Sequence, residues 1–344
     1  MSPKRVRMSD IAAHVGNVSI ATVSRALRDE PGVSPGVRER IRKAAAELAY
    51  PIAIETTGRV AVVTPVVETW FYSSVVAGIH DQLRAAGLDL LLHCLDTAAR
   101  RHEFFRGLAA RRTVDAVIII AAPLTEADRE QLTRSGLPVL GVGAHAEGLP
   151  SVGFRDVDAA ERAVRHLTDL GHERIAMIRT QSLEGGNWDA DVDRHTGYRN
   201  ELARAGIAER DEYVTTVPWG IAEGAEAMER LLGLATPPTA VFCHSDEIAA
   251  GALRTLRLGA QLSIPGSMSV VAIDNHPIAE MLDLTTVEQP AREQGRRAAA
   301  AIADHLRDGT PLPTEALRAD RIVYRRTTAA PGATGTPTAS SAEV

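Results

Sequence analysis

The spacing of apolar residues divides the chain into a helical head and a longer body in which strands and helices alternate. Between residues 8 and 50 the apolar side chains recur at helical spacing, which predicts three short helices. One apolar stripe on each helix lets the three helices pack around a small core. The stripes are Ile11, Ala12 and Val15 in the first helix, Val23, Ala26 and Leu27 in the second, and Val37, Ile41, Ala44, Ala45 and Leu48 in the third.

Serine residues mark where these helices begin. Ser9 and Ser19 are N-cap candidates for the first two helices, because a serine oxygen can accept a backbone N–H of the first turn. Ser34 precedes Pro35, and proline suits the first helical position because no hydrogen bond is lost there. The turn between the first two helices, VGNVS, is one residue longer than a tight helix-turn-helix requires. Asn17 tolerates positive φ, so a wider turn can absorb the extra residue.

From residue 59 onward, continuous Val, Ile and Leu runs alternate with amphipathic helical patterns such as SSVVAGIHDQLRAAG and AAERAVRHLTDLG. Buried strands separated by helices are typical of parallel sheets that are covered on both faces. The number of runs over this length predicts two doubly wound sheets rather than one. The candidate strands are VAVVTP, LDLLLHC, DAVIIIA, PVLGVG, SVGF, RIAMI, EYVTTV, TAVFCH, MSVVAID, LTTV and IVYRR.

The segments that flank these patterns have no periodicity. Pro51 ends the helical head, and the stretch YPIAIETTG leads into the body. The residues after Arg326 are small, polar and rich in Pro and Gly, so we expect a disordered tail over residues 328–344. The N-terminus lacks the apolar stretch of a signal peptide, and no run reaches the roughly 18 apolar residues of a membrane span. We therefore expect a cytoplasmic protein.

Charge separates the head from the body. The 344-residue chain has a net charge of −6 at pH 7. Residues 1–59 hold ten Lys and Arg against six Asp and Glu, which gives +4 and leaves −10 for the remainder. A basic head on an acidic body favours a polyanion-binding module joined to a domain with another task, although an ordinary solvated surface is the alternative. Cys94 and Cys243 lie in apolar runs, and we expect buried thiols rather than a disulfide or a metal site.

The second helix has the composition of a DNA-reading helix. Its inward residues fix it to the head, while its N-terminal half presents short polar side chains and an arginine. Arg25 can pair with guanine through two hydrogen bonds, and serine and threonine hydroxyls suit phosphates. A purely structural head with surface arginines is the alternative. The expected DNA-contacting residues are Ser9, Ser19, Ile20, Ala21, Thr22, Ser24, Arg25, Arg28 and Ser34.

These motifs resemble a known family of DNA-binding proteins. The segment MSDIAAHVGNVSIATVSRALRDEPGVSPGVRERIRKAAAELAY is similar to the headpiece of the LacI/GalR family of bacterial transcription regulators. Fragments of the body follow in that family's order, among them AVRHLTDLGHERIAMI, RHTGYRNEL, PTAVFCHSDEIAAGALRTL, MSVVAIDNHP and LTTVEQP. The resemblance extends to about residue 326. It implies a homodimer that binds a pseudo-palindromic operator, with the faces SSVVAGIHDQL and DEIAAGALRTL as candidate dimer contacts.

The resemblance also implies a domain organisation. The helix-turn-helix headpiece takes residues 1–50, and the body has the periplasmic-binding-protein type of fold with two lobes. The first lobe comprises residues 59–155 and 290–320, and the second comprises residues 156–289 and 321–327. Residues 51–58 form a shortened linker without the Asn and A-R-x-L sequence of the family's hinge helix. Ile52 and Ile54 are candidates to replace the leucine that this helix inserts into the minor groove.

The effector of such a regulator is expected between the lobes, at the carboxyl ends of the strands. Asp246 and Asp274 each end a strand, and Arg194 precedes HTGY at a predicted helix start. All three match family positions that contact the effector, while helix capping is the alternative for the two aspartates. Arg155 stands where the family often has an aspartate, and the neighbouring Asp156 is its candidate substitute.

Aromatic residues near the same strand ends are candidates to stack on a sugar. Phe71 and Tyr72 match the family's aromatic pair at the start of the first body helix, and Trp219 falls where some sugar-responsive members place a tryptophan. Packing in the core is the alternative for each. His276 and Trp188 are weaker candidates.

Catalytic motifs are not found in the sequence. It contains no dinucleotide-binding fingerprint, P-loop, G-x-S-x-G, H-E-x-x-H or Cys/His cluster. We therefore expect no enzyme, no catalytic residue, no metal and no cofactor. The cleft carboxylates suit acid–base chemistry, so a sugar-processing enzyme is one alternative and a sugar-binding protein without a DNA role is another. The sequence predicts a repressor released by a mono- or disaccharide, with double-stranded operator DNA and a second copy of the chain as partners and no membrane.

Overall fold

The computed structural model describes residues 6–27, 31–48, 57–111, 113–143, 148–181 and 189–332, apart from the side chains of 46 and 109–111. The chain forms two compact units, Met1–Gly58 and Arg59–Val344, which are described separately below. Several residues named above lie outside the described ranges: Arg28, Ile52, Ile54, Trp188 and residues 333–344. Among the residues within them, no helix has the length and apolar content that a membrane span needs.

The described part of the first unit contains three helices, α1 (Met8–Val15), α2 (Ile20–Leu27) and α3 (Pro35–Glu47). The three apolar stripes found in the sequence meet in one cluster, which confirms the predicted core of the head. Its fully or almost fully buried members are Ile11, Val23, Ala26, Ile41, Ala44 and Ala45.

The helix starts agree with two of the three predicted caps. The Ser19 hydroxyl accepts the Thr22 backbone N–H at 3.0 Å, and α3 begins at Pro35, directly after Ser34. The predicted Ser9 cap is wrong, because α1 begins at Met8 and Ser9 lies in its first turn. The Asp10 carboxylate instead accepts the Arg7 backbone N–H at 2.7 Å, as an acid at the third helical position can do.

The turn between α1 and α2 accommodates its extra residue as expected. Gly16 and Asn17 both have positive φ, 68° and 54°. Asparagine is one of the few residues with a side chain that adopts this conformation readily. The insertion therefore sits in the turn, and both helices keep their length.

The second unit contains two six-stranded sheets, and all pairings except one are parallel. The first sheet has the order β11-β5-β4-β3-β1-β2 and the second the order β12-β10-β9-β8-β6-β7. Among the described strands, only β12 runs antiparallel, against β10. The strands are β1 (Arg59–Thr64), β2 (Asp89–Cys94), β3 (Ala116–Ile120), β4 (Val139–Val142), β5 (Ser151–Phe154), β6 (Ile175–Gln181), β7 (Val214–Pro218), β8 (Ala240–Cys243), β9 (Ser269–Asp274), β10 (Thr285–Glu288), β11 (Thr314–Leu317) and β12 (Ile322–Val323).

Helices cover both faces of each sheet, so the predicted doubly wound α/β class is confirmed. Each sheet carries an apolar cluster on either face, because its central strands are buried on both sides. The helices are α4 (Trp70–Ala85), α5 (Ala98–Arg111), α6 (Glu126–Ser135), α7 (Asp156–Asp169), α8 (Asp189–Arg204), α9 (Ile221–Leu232), α10 (Asp246–Arg254), α11 (Pro277–Met281) and α12 (Ala291–Asp308).

The two sheets define two lobes, which we call lobe 1 (the sheet with β1) and lobe 2 (the sheet with β6). The chain leaves lobe 1 after β5, returns between β10 and α12, and crosses again between β11 and β12. Each lobe is therefore assembled from separate stretches of sequence.

Three strand assignments made from the sequence need correction. The strand β11, TEAL, was not anticipated, because Glu and Ala have little strand preference and only pairing with the distant β5 makes the segment extended. Residues Asp211–Tyr213 form a 3₁₀ turn before β7, and this turn includes the first two residues of the candidate EYVTTV. The candidate IVYRR is a strand only at Ile322 and Val323.

The predicted disordered tail starts too early. Thr327, the residue just before the predicted tail, is fully buried, and its backbone C=O accepts the Val270 N–H at 2.7 Å. The Ser269 hydroxyl accepts the Ala329 N–H at 3.0 Å, and His172 Nε2 lies 2.8 Å from the Ala329 carbonyl. These backbone contacts hold the segment against lobe 2, although its composition is that of a flexible chain end.

The prediction of two buried thiols holds for only one cysteine. Cys243 is buried in β8, whereas Cys94 is exposed. Cys94 ends β2, an edge strand of lobe 1 whose residues alternate toward the outside. An apolar sequence around a cysteine therefore did not determine its burial.

Candidate functional site

The N-terminal part of α2 presents its side chains to the surface of the head. Ile20 is 54% exposed, so its apolar side chain is available to another molecule. Ser19, Ala21 and Arg25 are also exposed, whereas Thr22 and Ser24 are partly buried. An isoleucine and an arginine on one exposed helix match the two contacts that a major groove offers, the thymine methyl and the guanine edge.

The other DNA-contact candidates lie at helix starts. Ser9 is exposed in the first turn of α1, and Ser34 is exposed before α3. The Ser19 and Thr22 hydroxyls lie 2.9 Å apart and share one hydrogen bond. The hydroxyl that accepts this bond can donate its own hydrogen to a phosphate oxygen.

A cavity of about 280 Å³ lies between the two lobes of the second unit. Its walls come from residues at the carboxyl ends of strands in both sheets, as predicted for an α/β fold. Five of the six predicted effector residues line it. They are Phe71, Tyr72, Arg194, Trp219 and Asp274.

The two aromatic residues of lobe 1 are held by close packing. Phe71 and Tyr72 contact each other edge to face, with ring centres 5.3 Å apart. Gly143 makes room for the Phe71 ring, because a Cβ at this glycine would lie 2.5 Å from Phe71 Cζ. The Tyr72 hydroxyl donates to the Ala121 carbonyl at 3.4 Å, and burial raises its pKa, so it stays a neutral donor.

Trp219 faces the cavity from lobe 2. It is half-buried, and its indole Nε1 donates a hydrogen bond to Glu247 Oε2 at 2.7 Å. The ring also contacts His244 edge to face at 5.5 Å between ring centres. A tryptophan fixed at its polar edge leaves its faces for packing or for a ligand.

Arg194 is almost fully buried in the cavity wall and is bound on three sides. Its Nε donates to Asp156 at 2.7 Å, one terminal nitrogen donates to the His244 carbonyl at 2.5 Å, and the other donates to Gln289 Oε1 at 3.2 Å. It lies in the second turn of α8, not at a helix start as predicted, because α8 already begins at Asp189. Asp156 therefore serves as the counter-ion of Arg194, while Arg155 turns outward to Asp158 at 2.9 Å.

The two predicted aspartates have different positions. Asp274 lines the cavity, whereas Asp246 is fully buried and does not. The Asp246 carboxylate accepts hydrogen bonds from the Thr286 hydroxyl at 2.6 Å and the His276 backbone N–H at 2.8 Å, so it points away from the cavity. Neither aspartate is an N-cap, because Ser245 caps α10 and His276 caps α11.

Burial changes the proton affinity of both aspartates. Desolvation raises the pKa of Asp246 to about 7, with the hydrogen bonds from Thr286 and His276 acting in the opposite direction. Burial also raises the pKa of Asp274 well above its usual range, opposed by Arg194 and reinforced by Asp246. Two carboxyl groups in one buried site cannot both ionise without cost.

The backbone at the cavity is strained at two residues that are not glycine. Asp274 has φ 141° and Ala121 has φ 38°. Both line the cavity and follow or end a central strand. Such conformations cost free energy and concentrate at functional sites, which supports the cavity as the binding site.

Sequence reasoning missed several cavity residues. Arg101 of α5 is 2% exposed and donates to the Leu95 carbonyl at 3.4 Å, although it lies in a helix with no site motif. His244 and Gln289 directly follow β8 and β10, a position that could have marked them. The cavity residues not anticipated by the sequence also include Glu68, Asp96, Gln181 and Asp189.

His276, a weaker candidate, caps α11 through its Nδ1 and contacts Trp70 at 5.6 Å between ring centres, outside this cavity. Among the described residues, no group of three or more His, Cys, Asp or Glu is arranged to hold a metal ion.

Both units match known protein families. Residues 7–51 match the family described as bacterial regulatory proteins, lacI family, and residues 164–328 match the periplasmic binding protein-like domain. The HTH-type transcriptional repressor CytR of Escherichia coli (strain K12) is 30% identical over 313 residues, which cover 87% of this chain and 89% of CytR.

Solved structures of similar proteins share the architecture. One is the transcriptional regulator CelR in complex with cellobiose, with a TM-score of 0.71, 28% identity, and coverage of 94% of this chain and all of that one. Another is a LacI family transcriptional regulator from Enterococcus faecium with bound ribose, with a TM-score of 0.69, 28% identity, and coverage of 79% and 99%. The chain belongs to the lacI family of bacterial regulatory proteins.

Proposed function

We propose that this protein is a transcriptional repressor whose operator affinity is controlled by a small sugar bound in the cavity between its lobes. The observation that carries the proposal is the pairing, in one chain, of an exposed DNA-reading helix with a two-lobed cavity. Either feature alone fits other proteins. Together they fit a regulator that senses a metabolite.

The cavity has the chemistry of a sugar site. Aromatic rings from Phe71 and Trp219 offer flat surfaces to C–H groups, while Asp274 and Arg194 offer an acceptor and donors for hydroxyls. The cavity of about 280 Å³ lies just below the roughly 300–1,000 Å³ usual for ligand sites, so it suits a small effector such as a mono- or disaccharide. Cellobiose and ribose in two similar structures support this effector class.

The sugar acts by favouring one arrangement of the lobes. Phe71 and Tyr72 belong to lobe 1 and Arg194, Trp219 and Asp274 to lobe 2, so a ligand that contacts both sets favours the arrangement in which both reach it. Operator affinity changes only if that arrangement also differs in DNA binding. The protein performs no catalytic step in this scheme, since binding alone shifts the equilibrium.

The regulator acts as a homodimer that places two headpieces on two operator half-sites. On lobe 1 an apolar groove runs between α4 and the edge strand β2, with Val76, Ala77, Leu90 and the 43% exposed Leu92. On lobe 2, Leu258 is 74% and Met281 86% exposed. A hydrogen bond from Arg257 to the Leu282 carbonyl at 2.9 Å brings these two lobe 2 segments side by side. Exposed apolar side chains grouped in this way are candidate protein interfaces.

One of the two dimer faces predicted from the sequence is not available. The helix α4 contributes to the lobe 1 groove. The helix α10 is buried along nearly its whole length against α9 and the sheet, and Gly251 allows the close approach to the Ile221 carbonyl. The lobe 2 contact therefore shifts to Leu258 and Met281.

The experiment tests DNA reading and sugar binding separately on the full chain. Binding sites selected from a random DNA pool define the operator, and a gel-shift titration measures its affinity. We expect Arg25→Ala to weaken the selected site about tenfold or more, since one bidentate pair contributes about 1–3 kcal/mol. Arg25→Lys keeps the charge and should weaken specificity while retaining non-specific binding.

Sugar binding is measured by a thermal-shift screen of mono- and disaccharides that includes cellobiose and D-ribose. A sugar that raises the melting temperature should change the tryptophan fluorescence of the wild type, and it should change that of Trp219→Phe less. Failure to select any DNA sequence would contradict the regulator and favour a sugar-binding protein without a DNA role. Turnover of a bound sugar would instead favour a sugar-processing enzyme.

A further inference from the structure

His244 is a buried imidazole in the wall of the cavity that has no hydrogen-bond partner for its ring among the described residues. It follows β8 directly, lines the cavity, and is only 2% exposed. Its Nδ1 is sealed from solvent and lacks a hydrogen bond. Its Nε2 is not a solvent-inaccessible atom of this kind. Because His244 lines the cavity, we infer that the Nε2 edge of the ring faces it. Buried polar groups nearly always have a partner, and each exception calls for an explanation.

The surroundings of His244 determine which ring nitrogen carries the proton. Asp191 Oδ1 lies 3.6 Å from Nδ1, and Asp191 is fully buried and paired with Arg179. A lone pair on Nδ1 would face the negative oxygen, so the proton is on Nδ1 and the lone pair on Nε2. Burial, together with the charges of Arg194 and Arg179, holds the pKa of His244 well below its usual value, and the ring is neutral at pH 7.

The main chain and the neighbouring side chains hold the ring in place. The His244 carbonyl accepts a hydrogen bond from Arg194 at 2.5 Å, and the ring contacts Trp219 edge to face. Trp219 is in turn fixed by its hydrogen bond to Glu247. The imidazole is therefore a preorganised acceptor next to the aromatic surface on which we place the sugar.

We propose that His244 determines effector specificity by accepting, at Nε2, a hydrogen bond from a hydroxyl or N–H group of the bound ligand. This inference rests on the proposed function, because it concerns the same cavity. It adds a requirement for the effector, which presents a donor next to Trp219. A ligand with an ether, a carbonyl or a carboxylate at that position would place a second acceptor against Nε2 and be rejected.

The test uses variants that mimic one ring nitrogen at a time. His244→Gln places an amide oxygen near the position of Nε2, whereas His244→Asn reaches only the position of Nδ1. His244→Phe keeps the ring volume without a polar atom. With cellobiose and D-ribose as probes, we expect the affinity of the bound sugar to fall about tenfold or more in His244→Asn and His244→Phe and about threefold or less in His244→Gln. Operator affinity without sugar should be unchanged in all three, which shows that they fold.

A second measurement needs no ligand. Nitrogen-15 NMR of histidine-labelled protein at pH 7 should show a protonated Nδ1 and an unprotonated Nε2 for the signal that His244→Asn removes. The opposite tautomer, or equal sugar affinity in wild type and His244→Phe, would overturn the inference. If no mono- or disaccharide of the screen binds the wild type, the proposed effector class is wrong, and the tautomer alone then decides whether His244 is an acceptor.

Discussion

Single charged side chains in the cavity wall show how burial changes the chemistry of a residue. Arg194 and Asp156 form an ion pair in which both side chains are almost fully buried. Such a pair holds its geometry because either partner alone would leave an uncompensated charge. Among the described residues, no such cation lies within hydrogen-bond distance of Asp246, and burial raises its pKa instead. The two aspartates that the sequence treats as equivalent, Asp246 and Asp274, therefore have different tasks.

Protonation of Asp246 predicts how stability depends on pH. Its pKa rises from 3.8 to about 7 on folding, so between these values the folded state holds a proton that the unfolded state has lost. Stability of the wild type relative to Asp246→Asn should fall as pH rises from about 5 to 7.5, by at most about 1.4 kcal/mol per pH unit. Urea unfolding followed by tryptophan fluorescence measures the free energy of unfolding of the second unit, since all three tryptophans lie there.

The comparison with Asp246→Asn is needed because histidines act in the opposite direction. Burial lowers the pKa of His166, His172, His244 and His276, so they add stability as pH rises toward 6.5 in every variant. Asp308→Asn is the matched control. Hydrogen bonds from Thr310 lower the pKa of Asp308, so its carboxylate is ionised in both the folded and the unfolded state above pH 5. The difference in unfolding free energy between the wild type and Asp308→Asn should therefore not change with pH. The prediction is contradicted if the difference in unfolding free energy between the wild type and Asp246→Asn is also independent of pH.

At the scale of elements, glycine lets paired helices such as α4 and α12 pack closely on a sheet face. In lobe 1, a Cβ at Gly295 of α12 would lie 2.2 Å from the Val75 carbonyl oxygen of α4. A Cβ at Gly78 of α4 would likewise lie 2.0 Å from the Arg292 carbonyl oxygen of α12. The helix axes approach closely because both contact positions lack a side chain. This packing positions the start of α4, which carries Phe71 and Tyr72.

Gly295→Ala should therefore destabilise the second unit. A methyl group has no space between α12 and the α4 backbone, so the helices must move apart at a cost of about 1–3 kcal/mol. The melting temperature should fall by about 2–4 °C for each kcal/mol. Gly259→Ala is the control, since its nearest neighbour, Thr255 Cγ2, is 3.9 Å away and no strain results. Equal melting temperatures for the two variants would show that the helices separate freely.

At the scale of the whole molecule, the proposed homodimer can be tested at the exposed apolar surfaces that we propose as its contacts. Leu92→Glu on lobe 1 and Leu258→Glu on lobe 2 place charges on the two proposed contact surfaces. We expect the double variant to be monomeric in sedimentation velocity and to bind the selected operator at least about tenfold more weakly, because one headpiece then lacks its neighbour. Sugar binding should persist, as the cavity lies within one chain.

Tyr324→Glu is the matched control for the dimer prediction. Tyr324 is 64% exposed and belongs to neither proposed contact surface. The same charge there should leave the dimer and the operator affinity unchanged. A double variant that remains dimeric would move the interface elsewhere.

The order of elements could be read from the sequence because its signals are local. A strand buried on both faces, such as β3, must be a continuous apolar run, and an amphipathic helix such as α7 must repeat its apolar residues every three or four positions. Phe71, Tyr72, Arg194, Trp219 and Asp274 were found because they stand at or near the ends of such elements or match a family motif. The strand β11 and the ordered residues after Arg326 were not predicted, because only pairing with distant segments gives them structure.

The sequence by itself determined the class of the protein: an all-helical head with a reading helix, two parallel sheets and candidate ligands at strand ends. Tertiary structure decided which of these ligands reach the cavity, because the direction of a side chain at a strand end depends on partners far along the chain. Asp246 is turned away by Thr286 and His276, Arg194 is held by Asp156 and Gln289, and Arg101 arrives from a helix without any motif. His244 is an acceptor only because Asp191 lies beside it. Periodicity is a local property, whereas the environment of a buried polar group is set by the whole fold.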